Sequence, residues 1–216
     1  MKQFAVIGLG RFGISVATSL FKQGYDVLAM DVSEERTQSF SDEVTHVVQA
    51  DSTDVNALKA LGIRNFDVVV VAIGEDIQAN VMTTLLLKEL GVPYVVAKAR
   101  NELHGRMLEK IGADKVVYPE RDMGVRLAHN IISRNVLDYI ELSPDLSIVE
   151  VTAPKNLIDK TLAQANLRPR FGINVVAIKH GEELNVSPKA EDVIKADDIL
   201  VVIGGNNGIQ GLEAME

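Results

Sequence analysis

The sequence feature that most constrains the fold is a glycine-rich segment near the start of the chain, with Gly8, Gly10 and Gly13 in G-x-G-x-x-G spacing. It follows a predicted strand, Gln3–Ile7, and opens a predicted amphipathic helix at residues 12–22. In that context the first glycine permits a tight turn, the second lets the backbone approach a phosphate, and the third lets the helix pack close to the strand. The helix start then presents unpaired N–H groups and the positive end of its dipole to an anion. The segment therefore predicts a nucleotide-binding unit.

An acidic residue follows at the position where such units bind a ribose. Asp31 stands 18 residues after Gly13, at the end of the second predicted strand. At a spacing of about 20, a carboxylate accepts hydrogen bonds from the ribose hydroxyls of adenosine. The alternative role is a helix N-cap, but Ser33 is the better cap because two glutamates follow it. Asp31 is therefore interpreted as a ribose ligand.

Arg11 lies inside the glycine segment, in the first turn of the helix. A cation there opposes the helix dipole, which costs from a few tenths to about 1 kcal/mol unless an anion compensates. The side chain either contacts a phosphate or leans away into solvent. The phosphate contact is favoured, and it points to a polyphosphate nucleotide such as ATP or ADP rather than a redox dinucleotide.

Further candidates follow the later strands, at the carboxyl edge where open α/β sheets bind ligands. Asp51 either accepts a hydrogen bond from the adenine amino group or, like Ser52, caps the next helix. The turn Ile73-Gly74 suits close approach of a nucleotide to the backbone. Two charged residues complete the rim just past the fifth and sixth strands, Lys98 and Glu120. Rim charges of this kind are more often solvated than functional.

Strand and helix patterns alternate through the first half of the chain, which predicts an α/β fold with a Rossmann-type doubly wound parallel sheet. The predicted strands lie at 3–7, 26–30, 46–49, 67–72, 94–97 and 115–118, and the helices at 12–22, 33–40, 55–61, 77–90 and 102–111. A small α+β domain follows, with strands at 147–152, 174–179, 183–186 and 199–203 and a helix at 157–164. We predict a first domain at 1–135 and a second at 136–216.

Residues 120–138 read as one long helix that connects the two domains, with apolar residues spread around more than one face. A helix with that much apolar surface needs a partner, from its own chain or from another.

Composition excludes several classes of protein. A net charge of −8 and a pI near 5.1 argue against a general nucleic-acid binder. With no cysteine, the chain has no disulfide, cysteine-ligated metal or thiol nucleophile. No apolar run approaches the roughly 18 residues of a membrane span, and the start of the chain leaves no room for a signal peptide, so we expect a cytoplasmic protein. No catalytic set emerges, since the four histidines show no metal-binding spacing and no nucleophile elbow is present.

Five segments together make the chain resemble an RCK-domain protein, of the kind that forms the cytoplasmic gating subunit of Ktr-type bacterial potassium uptake systems. The segments are residues 6–13, 62–66, 71–78, 110–114 and 118–124. The resemblance covers nearly the whole chain. It implies dimers within an octameric ring docked below a membrane potassium channel, which opens or closes when ATP exchanges with ADP. It also implies that the helix at 120–138 crosses to the neighbouring subunit.

The resemblance also implies roles for single residues. The phosphates would be held by the glycine segment, namely Gly8, Gly10, Arg11, Phe12 and Gly13. Asp31 would bind the ribose and Asp51 would lie near adenine. Lys98 and Glu120 would lie by the terminal phosphate, with a divalent cation such as Mg²⁺ between Glu120 and the phosphate oxygens.

The second domain resembles a cyclic di-AMP receptor over residues 167–175, with Pro188 one hairpin away. Arg168 would bind phosphate, Asn174 a base edge or phosphate, and Phe171 and Pro188 would form apolar walls. Pro169 departs from the small residue expected there. Proline removes one backbone N–H, and its ring is expected to stiffen this loop.

Two functions from different classes remain. The first is a ligand-gated regulatory subunit without catalysis. The second is an NAD(H)-dependent oxidoreductase or NAD(H)-sensing regulator, because the same glycine fingerprint serves nicotinamide cofactors. The lack of a catalytic residue set and the small second domain favour the first.

Overall fold

The computed structural model describes residues 2–41, 43–132, 136–143 and 145–215. The chain divides into two compact units, Met1–Pro119 and Glu120–Glu216. The contacts thus group the helix that begins at Pro119 with the second unit, whereas the predicted boundary at residue 135 counts it with the first. The domain boundary at 135 stays a prediction.

A six-stranded parallel sheet forms the centre of the first unit, in the order β3-β2-β1-β4-β5-β6. Its strands are β1 Gln3–Ile7, β2 Asp26–Asp31, β3 His46–Gln49, β4 Val68–Val71, β5 Val95–Lys98 and β6 Lys115–Val117. The helices between them are α1 Arg11–Lys22, α2 Glu34–Ser39, α3 Val55–Ala60, α4 Ile77–Glu89 and α5 Glu102–Lys110, with a 3-10 turn at Ile63–Asn65. Strand order reverses on either side of β1, so the predicted doubly wound fold is confirmed.

Both faces of this sheet are buried, which explains the near-continuous apolar strands. Alternate residues of β1 supply opposite cores: Ala5 and Ile7 pack with the helices on one face, and Val6 packs on the other. The predicted strands and helices of this half all form, with ends shifted by at most one residue. The apolar alternation of strand and helix was therefore sufficient to predict this unit.

The second unit is built on a five-stranded antiparallel sheet, in the order β10-β9-β11-β8-β7. Its strands are β7 Val136–Ser143, β8 Leu146–Thr152, β9 Asn174–His180, β10 Glu183–Asn185 and β11 Ile199–Gly205. Its helices are α6 Pro119–Ile132, α7 Leu162–Ala165, α8 Leu167–Phe171 and α9 Asn206–Glu213, with a 3-10 turn at Lys155–Leu157. One apolar core, which includes Leu157, Ile173, Leu200 and Leu212, holds it together.

The prediction of one helix at 120–138 is wrong at its C-terminal end. Helix α6 ends at Ile132, and β7 already covers Val136 to Ser143; residues 133–135 lie outside the described residues. Strand β7 pairs antiparallel with β8, and Tyr139 is buried in the core. A mixed apolar run fits both periodicities, and antiparallel pairing with β8, the next strand of the chain, decides between them.

The predicted helix at 157–164 is also wrong over its first half. The chain makes a 3-10 turn at Lys155–Leu157 and reaches α7 after Asp159, whose φ of 62° is left-handed and interrupts a helix. Thr161 then starts α7 through a capping box with Gln164. Helices α8 and α9 and strand β7 were not predicted.

Helices of the described part of the chain are too short or too polar to cross a membrane.

Candidate nucleotide-binding site

The glycine segment joins β1 to α1 at the carboxyl edge of the parallel sheet. Gly8 has a φ of +100°, and a Cβ there would lie 3.0 Å from the backbone nitrogen of Ile73. A Cβ on Gly13 would lie 1.9 Å from the carbonyl oxygen of Gly8. A Cβ on Gly10 would meet nothing within 4 Å. The first and third glycines thus allow close packing, and the second faces open space where a ligand fits.

Helix α1 begins without a side-chain cap, unlike the other helices of the described first unit. Its N-cap is Gly10, and its first turn holds no acidic residue. In each of the helices α2 to α5, the side-chain oxygen of the N-cap residue accepts a first-turn N–H. These N-cap residues are, in order, Ser33, Asp54, Asp76 and Asn101. The first-turn N–H groups of α1 are therefore left for another acceptor, at the end where the helix dipole favours an anion.

Asp31 holds the glycine segment in place. It is 6% exposed, and its Oδ2 accepts the backbone N–H of Leu9 at 2.6 Å while Oδ1 accepts that of Ser33 at 2.9 Å. The guanidinium of Arg36 lies 3.6 Å from Oδ2. Ser33, as predicted, caps α2. The sequence did not indicate this anchoring role, which depends on β2 ending beside the loop after β1.

Three of the predicted site residues come together beside the loop. The Lys98 ammonium lies 5.8 Å from the ring centroid of Phe12, within cation–π range. A Cβ on Gly74 would lie 3.2 Å from Lys98 Nζ, so the glycine gives the lysine room. Arg11 is exposed, and its guanidinium forms no hydrogen bond or ion pair with the residues that the structure describes.

The proposed capping roles of Asp51 and Ser52 are wrong. Asp54 caps α3 by accepting the N–H of Asn56 at 2.8 Å. The exposed Asp51 carboxylate accepts the hydroxyl of Thr53 at 2.7 Å and its backbone N–H at 2.8 Å, and these bonds hold the Asp51 pKa below its usual value. The Ser52 hydroxyl is buried and lies 2.7 Å from that of Thr83, so it is committed inside the unit. The Asp51 carboxylate is thus exposed to solvent, whereas the Ser52 hydroxyl is paired inside the unit.

Asn80 is a buried polar residue of this edge that sequence reasoning missed. Its side chain is 0% exposed, and Nδ2 donates to the carbonyl oxygens of Ile73 at 2.6 Å and of Lys98 at 3.1 Å. The sequence offered one indication of its burial. Asn80 is an amide in a predicted helix whose other sheet-facing residues are apolar or small. Its two carbonyl partners could not be predicted, because they depend on which strands lie side by side in the sheet.

Glu120 is exposed in the first turn of α6, within the second unit. Among the described residues, no three histidine, aspartate or glutamate side chains are close enough together to hold a metal ion. Cation binding at Glu120 stays a prediction.

The second unit places Arg168 and Phe171 on the short helix α8 rather than on a loop. Pro169 lies in its first turn, where its missing N–H would have had no helical partner, so the expected stiffening of a loop is wrong. Arg168 is exposed, whereas the Arg170 guanidinium packs 4.9 Å from the Phe171 ring centroid. Asn174 is exposed at the start of β9, and Pro188 is half-buried beyond β10.

Comparison with known proteins agrees with this architecture. The TrkA-N domain family matches residues 4–119, and the TrkA-C domain family matches residues 146–215. Ktr system potassium uptake protein C of Bacillus subtilis (strain 168) is 53% identical over 98% of this chain and 96% of its own. Ktr system potassium uptake protein A of the same organism is 48% identical over the same shares.

Solved structures share the fold at low sequence identity. The GsuK channel bound to NAD superposes with a TM-score of 0.69 at 19% identity over 99% of this chain, which spans 39% of the GsuK chain. GsuK bound to ADP superposes with a TM-score of 0.51 at 17% identity over 57% of this chain and 32% of its own. The fold, the two matched domains and the identity over nearly full length agree: this chain is an RCK-type protein and belongs to the TrkA-N and TrkA-C domain family that includes the Ktr system potassium uptake proteins.

Proposed function

We propose that the protein is a cytoplasmic, non-catalytic regulatory subunit that gates a membrane potassium channel or transporter in response to bound ATP or ADP. The observation that carries the proposal is the uncapped start of α1 beside a glycine loop anchored by Asp31. Such a site binds the phosphates of a nucleotide. The potassium channel partner is supported by the names of the relatives, which are potassium uptake proteins.

Within this site, the N–H groups around Gly10 to Gly13 hold the phosphates and Asp31 binds the ribose through its remaining lone pairs. Each Asp31 oxygen already accepts one backbone N–H, and a carboxylate oxygen can accept a second hydrogen bond. Asp51 lies near the base. Lys98, whose ammonium lies near Phe12 and Gly74, supplies positive charge to the terminal phosphate. In the second unit, Glu120 is proposed as a ligand of a divalent cation, since Mg²⁺ is typically bound by one or two carboxylates and substrate phosphates.

The test is a comparison of ATP and ADP binding to the wild type and to Arg11→Ala. The exposed guanidinium has no partner within the described residues, and the first turn of α1 suits the outer phosphates better than the adenosine end. We expect loss of this charge-assisted contact to weaken ATP binding by about five- to a hundred-fold, and ADP binding less. Titration calorimetry measures both affinities.

Lys22→Ala is the matched control, because Lys22 is an exposed cation in the last turn of the same helix. It should leave both affinities unchanged. Equal losses of ATP and ADP affinity in Arg11→Ala would place Arg11 on the inner phosphates instead, and no loss would place it in solvent.

The assembly proposed for the subunit is a dimer within an octameric ring. Exposed apolar side chains support it on both α6 and β7 of the second unit: Met123, Val125, Leu127, Ile131, Leu137, Ile140 and Leu142. Apolar surface of this extent is typical of a protein–protein interface. We expect light scattering at micromolar concentration with ATP to give a mass at least twice the 23.5 kDa of one chain, and Leu127→Glu with Ile131→Glu to lower it. A monomer of the wild type would contradict the assembly.

The second unit is proposed to bind cyclic di-AMP. Arg168 supports this role because it is exposed on α8, whereas the neighbouring Arg170 is occupied by Phe171 and the carbonyl oxygen of Ala165. A symmetric ligand with two phosphates matches one Arg168 and one Asn174 from each subunit of a two-fold dimer, and so predicts one ligand per dimer.

NAD(H) is the alternative ligand, favoured by the binding of NAD to GsuK, a protein of the same fold. Mass spectrometry of the nucleotide that co-purifies with the protein distinguishes NAD(H) from ATP or ADP. An NADH oxidation assay whose activity disappears in Asp31→Ala would support an oxidoreductase instead of a regulator.

A further inference from the structure

We propose that Asn80 is a positioning residue for the terminal phosphate of the nucleotide. Its buried amide joins the backbone after β4 to the end of β5, and so fixes where the Lys98 ammonium lies. This inference rests on the proposed function, because it concerns how Lys98 meets a phosphate.

The two hydrogen bonds of Asn80 reach two different strand ends. The parallel pairing of β4 with β5 stops at Val71 and Ala97. Beyond that pair, the two N–H groups of Asn80 Nδ2 are divided between the carbonyl oxygens of Ile73 and Lys98. A single side chain on α4 thus holds together two backbone segments that the sheet no longer joins.

Of the two segments joined in this way, one carries Lys98 and the other carries Gly74, which lies beside the Lys98 ammonium. Gly74 directly follows Ile73, and the space of its absent Cβ lies 3.2 Å from Lys98 Nζ. The ring of Phe12 also lies in cation–π range of the same ammonium. If the Ile73-Gly74 turn moves relative to β5, the distance between Gly74 and the ammonium changes with it. The position of a charge at the phosphate end of the site therefore depends on Asn80.

The energetics of Asn80 favour a geometric role over a purely stabilising one. Its Oδ1 is buried and has no hydrogen-bond partner among the described residues. A neutral hydrogen bond makes only a modest net contribution to stability, whereas an unpaired buried polar atom carries the full cost of its lost hydration. The gain from the two donated bonds is therefore largely offset by the unpaired oxygen. The stronger consequence of the side chain is that it specifies the relative position of two loops.

The experiment compares ATP and ADP binding to the full chain by titration calorimetry, in the wild type and in Asn80→Ala. We expect the ratio of ATP to ADP affinity to fall by about five-fold or more, since Lys98 then meets the terminal phosphate less well. Asn80→Ser keeps one donor and should give a smaller fall. If Asn80→Ala folds poorly, the affinity ratio of Asn80→Ser is compared with that of the wild type instead.

Two control variants on the same helix separate positioning from general destabilisation. Thr84→Val replaces a fully buried hydroxyl that lacks a partner within the described residues, and should leave the ratio unchanged. Leu87→Ala truncates a fully buried side chain of the apolar core. It should lower the unfolding temperature without changing the ratio of ATP to ADP affinity.

A double-mutant cycle with Lys98→Met shows whether Asn80 acts through the lysine. In the Lys98→Met background, Asn80→Ala should lower the ratio no further. The inference is overturned if Asn80→Ala keeps the wild-type ratio, or if the two changes are additive. A wild type that binds neither nucleotide overturns the proposed function and this inference together, so the two failures are distinguishable.

Discussion

Gly13→Ala is expected to abolish nucleotide binding and to destabilise the first unit. The new Cβ would lie 1.9 Å from the carbonyl oxygen of Gly8 and 3.1 Å from the Cβ of Ala72. The closer contact is with backbone, which cannot rotate away as a side chain can. Gly8 itself packs against the backbone of Ala72 and Ile73: a Cβ added to Gly8 would lie 3.0–3.3 Å from their backbone atoms. Helix α1 must therefore move away from the sheet, and its first-turn N–H groups move with it.

We expect Gly13→Ala to lower the free energy of unfolding by at least about 1–3 kcal/mol, the range typical of overpacking in a core. Thermal unfolding measures that loss, and titration with ATP measures the loss of binding. Gly10→Ala is the control for stability, since no atom lies within 4 Å of its Cβ position and its φ is −77°. It should unfold like the wild type while binding ATP less well, because its methyl group occupies the ligand side of the loop. Wild-type stability and affinity in Gly13→Ala would contradict the packing described for α1.

Gly208→Ala is expected to abolish cyclic di-AMP binding and to leave ATP binding intact. Gly208 lies on α9, where a Cβ would lie 2.0 Å from the carbonyl oxygen of Phe171 and 3.1 Å from Cγ2 of Ile173. The segment that the new Cβ meets carries Phe171 and leads directly into Asn174. The variant therefore displaces the proposed ligand residues without changing any of them.

Two further variants sharpen this prediction. Gly205→Ala, at the N-cap of the same helix, would bring its Cβ no nearer than 3.5 Å to any atom, which is an ordinary contact, and should retain both ligands. Arg168→Ala removes an exposed side chain, so it should lose cyclic di-AMP binding at an unchanged unfolding temperature. Undiminished binding in both Gly208→Ala and Arg168→Ala, or one ligand per chain in the wild type, would exclude this segment as the site.

The first unit could be predicted almost completely because its signals are local. Strands buried on both faces are apolar throughout, as in Val68–Val71, and the turn after β1 requires glycine at fixed spacing. The second unit was less predictable where distant contacts decide. Helix α9 contains Gly208 and Gly211, which disfavour a helix locally, yet a Cβ at either would collide with Phe171. Its glycines serve packing rather than flexibility.

The candidate site divides in the same way. Gly8, Gly13 and Asp31 were identified from spacing, because strand, loop and helix follow one another along the chain. The anchoring bond from Leu9 to Asp31 and the bonds from Asn80 across two strand ends depend on which strands lie side by side. Strand order is a property of the whole sheet, so the partners of these side chains could not be deduced from the residues themselves.

The uncapped start of α1 also has a consequence for how long the folded protein persists. A nucleotide that supplies the acceptors for this helix binds the native state and not the unfolded chain, so its concentration enters the folding equilibrium. At a free concentration about one hundred times its Kd, such a ligand adds about 2.7 kcal/mol to the free energy of unfolding. The lifetime of the subunit against proteolysis would then rise and fall with the nucleotide supply, and its abundance in the cell would carry the same information as its bound state.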